Sequence, residues 1–183
     1  MKARTCIGGR PHMNDTESDV ERIMVSPWSY AGLPPRSEDG LLLYFWSNYS
    51  LGVWSSWSLF ADGALYFVRR IEWARGRDRV RLAGEAPTTF GAESSIPEAL
   101  ASSLVSQARD LSSMVQLPEP PGINLDGGQG KLVLHINASE LKTITWQVGR
   151  VHAKRLDSWL EDASEVLNSK LPKSSAREAQ NAA

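Results

Sequence analysis

Several common sources of function are missing from this chain. It has a single cysteine, Cys6, so no internal disulfide can form, and a reducing, cytoplasmic setting fits. Its three histidines, His12, His135 and His152, have no second His or Cys at metal-ligand spacing, so neither a metal nor a cofactor is expected. No apolar run approaches the ~20 residues of a membrane span. Residues 1–12 lack the apolar core of a secretory signal, and Met13 is a second candidate start. A net charge of −1 over 183 residues argues against a dedicated polyanion binder and equally against an acidic mimic of nucleic acid. No phosphate loop, dinucleotide fingerprint or Gly-x-Ser-x-Gly elbow occurs, so no catalytic residue is nominated and an enzyme is not expected.

Aromatic side chains are what the chain does have, including seven tryptophans, and they concentrate in VWSSWSLFADGALYFVRRIEW at residues 53–73. Asp62-Gly63 between two alternating apolar runs predicts a β-hairpin, because both residues tolerate the positive φ of a tight turn. With Ala61 opposite Ala64, one side of the hairpin carries Trp54, Phe60, Leu65, Phe67, Ile71 and Trp73. The other carries Trp57, Leu59, Tyr66, Val68, Arg70 and Glu72. The first side is the more apolar and is assigned to the core.

The rest of the chain predicts elements around this hairpin. Residues 1–40 read as an arm, partly extended or disordered, whose Ile23, Val25, Trp28 and Tyr30 are placed to lie over the sheet. Leu41–Trp46 is a strand with two apolar sides. Arg75, Arg77, Arg79 and Arg81 alternate along a short edge strand, with residues 85–95 a loop. Ser95-Ile96-Pro97-Glu98 is a helix start with Ser95 as cap, followed by the stripe Leu100, Leu104, Ala108, Leu111 and Val115, and LPEPPG at 117–122 ends it. A second hairpin alternates Leu132, Leu134 and Ile136 with Lys131, Val133 and His135, then Ile144, Trp146 and Val148 with Thr143, Thr145 and Gln147. Leu156, Trp159, Leu160, Ala163, Val166 and Leu167 form the buried stripe of a last helix, and residues 172–183 are a flexible tail. The fold class expected is α+β: an α+β domain over residues 41–171 holding a single antiparallel sheet of about five or six strands with two helices packed on one face.

An aromatic side chain buries roughly 150–250 Å², worth several kcal/mol at about 25 cal/mol per Å². That compares with a net domain stability of only about 5–15 kcal/mol. Rings left on an outer sheet face therefore need a cover, either the first forty residues or a partner. The expected partner-binding residues are Tyr44, Trp46, Trp57 and Tyr66, rimmed by Arg70, since interfaces concentrate their energy in Trp, Tyr and Arg.

The element order, with the stretch SLFADGALYFVRR, resembles small bacterial α+β proteins that include toxin-immunity proteins and emfourin-type inhibitors of metalloproteases. The resemblance spans roughly residues 41–171. It implies a stoichiometric binder that occludes another protein, such as a toxin or secreted effector, and it transfers no functional residue. Two alternatives remain open. One is a single-stranded nucleic-acid binder using sheet aromatics and the arginines of 69–81, which the near-neutral charge disfavours. The other is a small-ligand protein with a pocket under the loop INLDGGQG.

Overall fold

The computed structural model describes residues 13–48, 52–80, 85–114, 128–137 and 140–182. In chain order the elements are α1 (Met13–Val25), β1 (Leu41–Ser47), β2 (Trp54–Asp62), β3 (Leu65–Trp73), β4 (Thr89–Ile96) and α2 (Glu98–Met114). They continue with β5 (Gln129–Asn137), β6 (Glu140–Gln147), α3 (Lys154–Asn168) and α4 (Ser175–Asn181). The strands form one open six-stranded sheet in the order β4-β3-β2-β1-β5-β6, with every neighbouring pair antiparallel. The fold is α+β, as the sequence predicts. Cys6, His12, Arg81, Val115 and the segment 117–122 lie outside the described residues, as does most of the loop INLDGGQG.

The central hairpin turns one residue later than its sequence implies. Asp62 pairs with Leu65 and Phe60 with Phe67, so the turn residues are Gly63 and Ala64. Gly63 has φ +61° and no other described residue type takes a positive φ, which matches a type II′ turn with glycine first. Asp62 thereby escapes the positive φ that an Asp-Gly turn would have imposed on it. The pairing register moves by two residues, and a shift of two leaves every side chain on its expected side.

Both sides of the sheet are cores. On one, Leu43, Phe45, Trp57, Leu59, Val68, Leu132, Leu134, Ile144 and Trp146 meet α2 and α3 through Leu104, Ala108, Leu156, Trp159, Ala163 and Leu167. Phe45 stacks on Trp57 at 5.3 Å between ring centroids and meets Trp159 edge-on at 5.0 Å. On the other, α1 sets Val20 and Met24 against Trp54, Ile71 and Trp73. Beside them Leu41, Tyr44, Trp46 and Phe60 form a cluster with Trp28, Phe67 and Val133. The two expected helices on one face are present as α2 and α3, and α1 is a third helix on the opposite face.

Three local expectations are corrected. Residues 77–80 are a 3₁₀ turn, and the fourth strand is Thr89–Ile96, where a loop was expected. Asp78 holds that turn, accepting from Trp73 Nε1 at 2.6 Å and from the Thr88 backbone N–H at 2.8 Å and hydroxyl at 2.6 Å. Ser95 lies in β4 opposite Phe67, so α2 instead starts after Pro97, whose carbonyl accepts from Leu100 and Ala101. Finally, the expected flexible tail carries α4, capped by Ser174 and burying Ala176 against Val53 and Ala74.

Candidate functional site

The five residues expected to bind a partner are not together. Phe45, not Trp46, sits opposite Trp57, because β1 pairs with the opposite parity to that assumed, after an irregularity between Leu41 and Leu43. Tyr44 and Trp46 therefore share the α1 side with Phe60, whereas Trp57, Tyr66 and Arg70 lie on the side of α2 and α3. Tyr44, Trp46, Trp57 and Arg70 are all at most 6% exposed, so none offers free surface; Tyr66 is half-buried against the helix core. The covers are the chain's own: the arm over Tyr44 and Trp46, and α3 with the segment after it over Trp57 and Arg70.

Arg70 and Glu72 show how that second cover is held. Arg70 donates to Asn168 Oδ1 at 2.8 Å and to the Pro172 carbonyl at 2.9 Å, and its Nε lies 3.1 Å from Glu72. Trp57 Nε1 donates to the same Asn168 oxygen at 3.1 Å, and Ser174 donates to Glu72 at 2.6 Å. Burial pulls the Arg70 pKa below its ordinary value, partly offset by Glu72. On the α1 side, Arg69 is fully buried and donates to the Pro27 and Pro34 carbonyls and to Glu93. Arg36 pairs with Glu93 at 2.6 Å and with Asp62 at 2.9 Å while stacking 3.6 Å over the Phe67 ring. Burial works to raise the Glu93 pKa, but hydrogen bonds and charge from Arg36 and Arg69 outweigh it and hold the carboxyl below its usual range. Arg69 and Arg70 thus do not form an outward row with Arg75 and Arg77, as a phosphate track would require.

One part of the sheet keeps a free face. On the α1 side of β5 and β6, the positions are Gln129, Lys131, Val133 and His135 paired with Gln147, Thr145, Thr143 and Leu141. Leu141 is 59% exposed, Thr143 and Thr145 are exposed, and Val133 and His135 are half-buried. Opposite this strip, Ile144 and Trp146 are buried under α3, and Trp146 Nε1 donates to Asp157 at 2.7 Å, so the strip has a rigid back. As the last strand, β6 also points half of its backbone N–H and C=O groups away from β5. Burial lowers the His135 pKa, and the nearby acids Glu38 and Asp39 work against that shift.

Two concavities flank α1. One of about 540 Å³ lies between Arg22, Ile23, Ser26 and Tyr30 on one side and Ala86, Pro87 and Thr89 on the other. A smaller one of about 190 Å³ lies between Glu21, Met24 and Val25 of α1 and Tyr44, Trp46, Gln129, Lys131 and Thr145 of the sheet. Among the described residues no group of three or more His, Cys, Asp or Glu is arranged to hold a metal ion, and no helix is long and apolar enough to cross a membrane. Glu161, Asp162 and Glu165 are exposed on the polar side of α3. The signal that sequence reasoning missed is the helical spacing of Val20, Ile23 and Met24, which would have placed α1 on the sheet. Compared with known protein families, with curated proteins and with solved structures, the chain finds no match.

Proposed function

We propose that this chain is a non-catalytic protein-binding module, an immunity-like inhibitor that acts in the cytoplasm by occluding a partner protein. The observation that carries the reading is the bare strip on β5 and β6. Covers from the chain itself bury both sides of β1, β2 and β3 except at the hairpin tip around Leu65, while Leu141, Thr143 and Thr145 stay open on a strand backed by α3. A terminal strand with a firm back suits recognition by strand addition, in which main-chain hydrogen bonds supply affinity and alternate side chains supply specificity. The rigid strip loses little entropy on docking, which favours tight binding over a modest area. This reading moves the interface away from Trp57 and Tyr66. Trp57→Ala becomes a test of folding.

The experiment is co-expression with the products of adjacent genes, because inhibitors of this kind are encoded beside what they neutralise. Complex formation is then measured by calorimetry for the wild type and for Leu141→Arg/Thr143→Arg. A 1:1 complex that the double variant weakens by at least about tenfold supports the reading. A complex of unchanged affinity, or no complex with any neighbouring product, overturns it.

A further inference from the structure

The smaller concavity beside α1 has features that packing alone does not explain. Tyr44 and Trp46, which form one wall, are buried to 3% and 6% exposure, yet the Tyr44 hydroxyl and the Trp46 indole N–H have no hydrogen-bond partner among the described residues. Leaving such a group unsatisfied costs about 1–3 kcal/mol. Burial accordingly drives the Tyr44 pKa far up, with the charge of Glu21 adding to it. Trp54 and Trp159 also carry unpartnered indole N–H groups, so an orphan by itself marks no site. What distinguishes this cavity is the company the two orphans keep.

Glu21, exposed, stands on the α1 wall and Lys131, half-buried, on the β5 wall, and neither makes an ion pair or hydrogen bond with another described residue. An unpaired acid and an unpaired base across a small cavity are arranged for a molecule that carries both charges. The volume of about 190 Å³ is below the roughly 300–1,000 Å³ of drug-sized ligand sites, which limits the occupant to a few heavy atoms. We infer that this cavity binds a small zwitterion of the free α-amino-acid class. Its carboxylate meets the Lys131 ammonium, its ammonium meets the Glu21 carboxylate, and its body lies against the Tyr44 and Trp46 rings. Both orphaned atoms are sealed from solvent in the ligand-free structure, so either meets the carboxylate only when its side chain turns toward the cavity. Met24 and Val25 supply the apolar side of the cavity, and Gln129 and Thr145 its polar rim. This site borders the strip of the protein-binding proposal and shares Lys131 and Thr145 with it, but it does not rest on that proposal, because a small ligand here needs no second macromolecule.

The test is titration of the full chain with glycine, L-alanine and L-leucine, followed by calorimetry and tryptophan emission, which Trp46 reports directly. Acetate and ethylamine, each carrying one of the two charges, are the controls. Saturable binding of at least one amino acid, with neither control competing at similar concentration, is the expected result. Lys131→Met and Glu21→Gln each weaken it by about tenfold or more, since each removes a charge-assisted contact. Tyr44→Phe serves as the folding control: it removes only the orphaned hydroxyl, so the ligand-free protein melts no lower than the wild type while binding weakens. No response to any of the three amino acids up to roughly 10 mM overturns the inference, because weaker affinity than that is no longer specific recognition. Binding that survives Lys131→Met unchanged also overturns it, as does a crystal structure in which only ordered water joins Tyr44 and Trp46.

Discussion

Arg69 and Arg70 are neighbours on β3, yet their side chains leave the sheet on opposite sides and each fastens a different segment outside the sheet. Arg69 holds the Pro27 and Pro34 carbonyls of the N-terminal arm, and Arg70 holds Asn168 and the Pro172 carbonyl ahead of α4. Alternation along a strand makes this possible, since successive side chains point to opposite faces. Both guanidinium groups are nearly or fully buried, so each is matched by a carboxylate, Glu93 for one and Glu72 for the other. A buried charge without such a partner would be prohibitive.

Glu93→Gln should therefore loosen the arm more than the rest of the fold. The substitution leaves Arg69 buried without its countercharge, a loss of about 3–5 kcal/mol by analogy with broken buried pairs. Urea denaturation gives the total, and hydrogen exchange should show the increase concentrated at residues 27–36. A uniform increase throughout the sheet would contradict the role assigned to Arg69.

The same carboxylate sets an acid limit on stability. Its folded pKa is depressed below the ordinary value, so the stabilisation is fully present above the unfolded value of about 4.3 and is lost as pH falls through the folded one. The urea midpoint of the wild type should drop as pH falls below about 4. In Glu93→Gln that part of the drop should be absent, and an identical acid profile for both proteins would count against it.

Asn168→Ala removes one oxygen that serves two donors, Trp57 Nε1 and Arg70 Nη1. Each buried donor left open costs about 1–3 kcal/mol, so a total of about 2–6 kcal/mol is expected from urea denaturation. Trp57 emission should report the same transition. A loss under about 0.5 kcal/mol, the level of an ordinary surface change, would mean that solvent already reaches these donors.

Two glycines separate backbone strain from steric clash. Gly63 has φ +61° with nothing within 4 Å of a built Cβ, so Gly63→Ala costs only conformational energy, about 1–2 kcal/mol. A Cβ on Gly130 would stand 2.3 Å from the Trp146 ring, which Asp157 holds in place. Gly130→Ala should cost more than Gly63→Ala in thermal denaturation, and the reverse order would mean that the Trp146 indole can move aside.

His135 should titrate by NMR below its usual value of about 6.5, because burial disfavours the charged ring. Folded protein then binds this proton less readily than the unfolded chain. The penalty on stability appears as pH falls through the unfolded value and levels off below the folded one. Removing the opposing acids with Glu38→Gln/Asp39→Asn should lower the midpoint further. A rise would reverse the assigned sign of their influence.

Periodicity carried the sequence reading wherever one side chain alone decides its face. Leu132, Leu134, Ile144 and Trp146 are buried, and Thr143 and Thr145 are exposed, because a period of two leaves no third choice. The stripes of α2 and α3 follow for the same reason at a period of 3.6, except that Val166, expected in the buried stripe of α3, is exposed. Even the hairpin faces survive an error in the turn, since the register slips by two.

Thr89–Ile96 was not legible as a strand, because TFGAESSI has no apolar alternation. It is a strand because β3 offers it an edge, with Glu93 opposite Arg69 and Gly91 admitting the Tyr30 ring. Nor was it legible that Arg70 is buried, since a lone arginine on a strand reads as solvated unless Asn168 and Pro172 are known to arrive from far along the chain.

The sequence by itself determined which residues alternate, where the two large helices run, and that α+β was the class. Tertiary structure alone decided which strand parity joins β1 to β2, and so whether Tyr44 and Trp46 share a face with Trp57. It also decided that the segments flanking the sheet, with α1 and Trp28 on one side and Asn168 to Pro172 on the other, fold back over the rings. Local pattern is written in neighbours a few residues apart, whereas strand pairing and burial depend on contacts between residues dozens of positions apart, which no single stretch encodes.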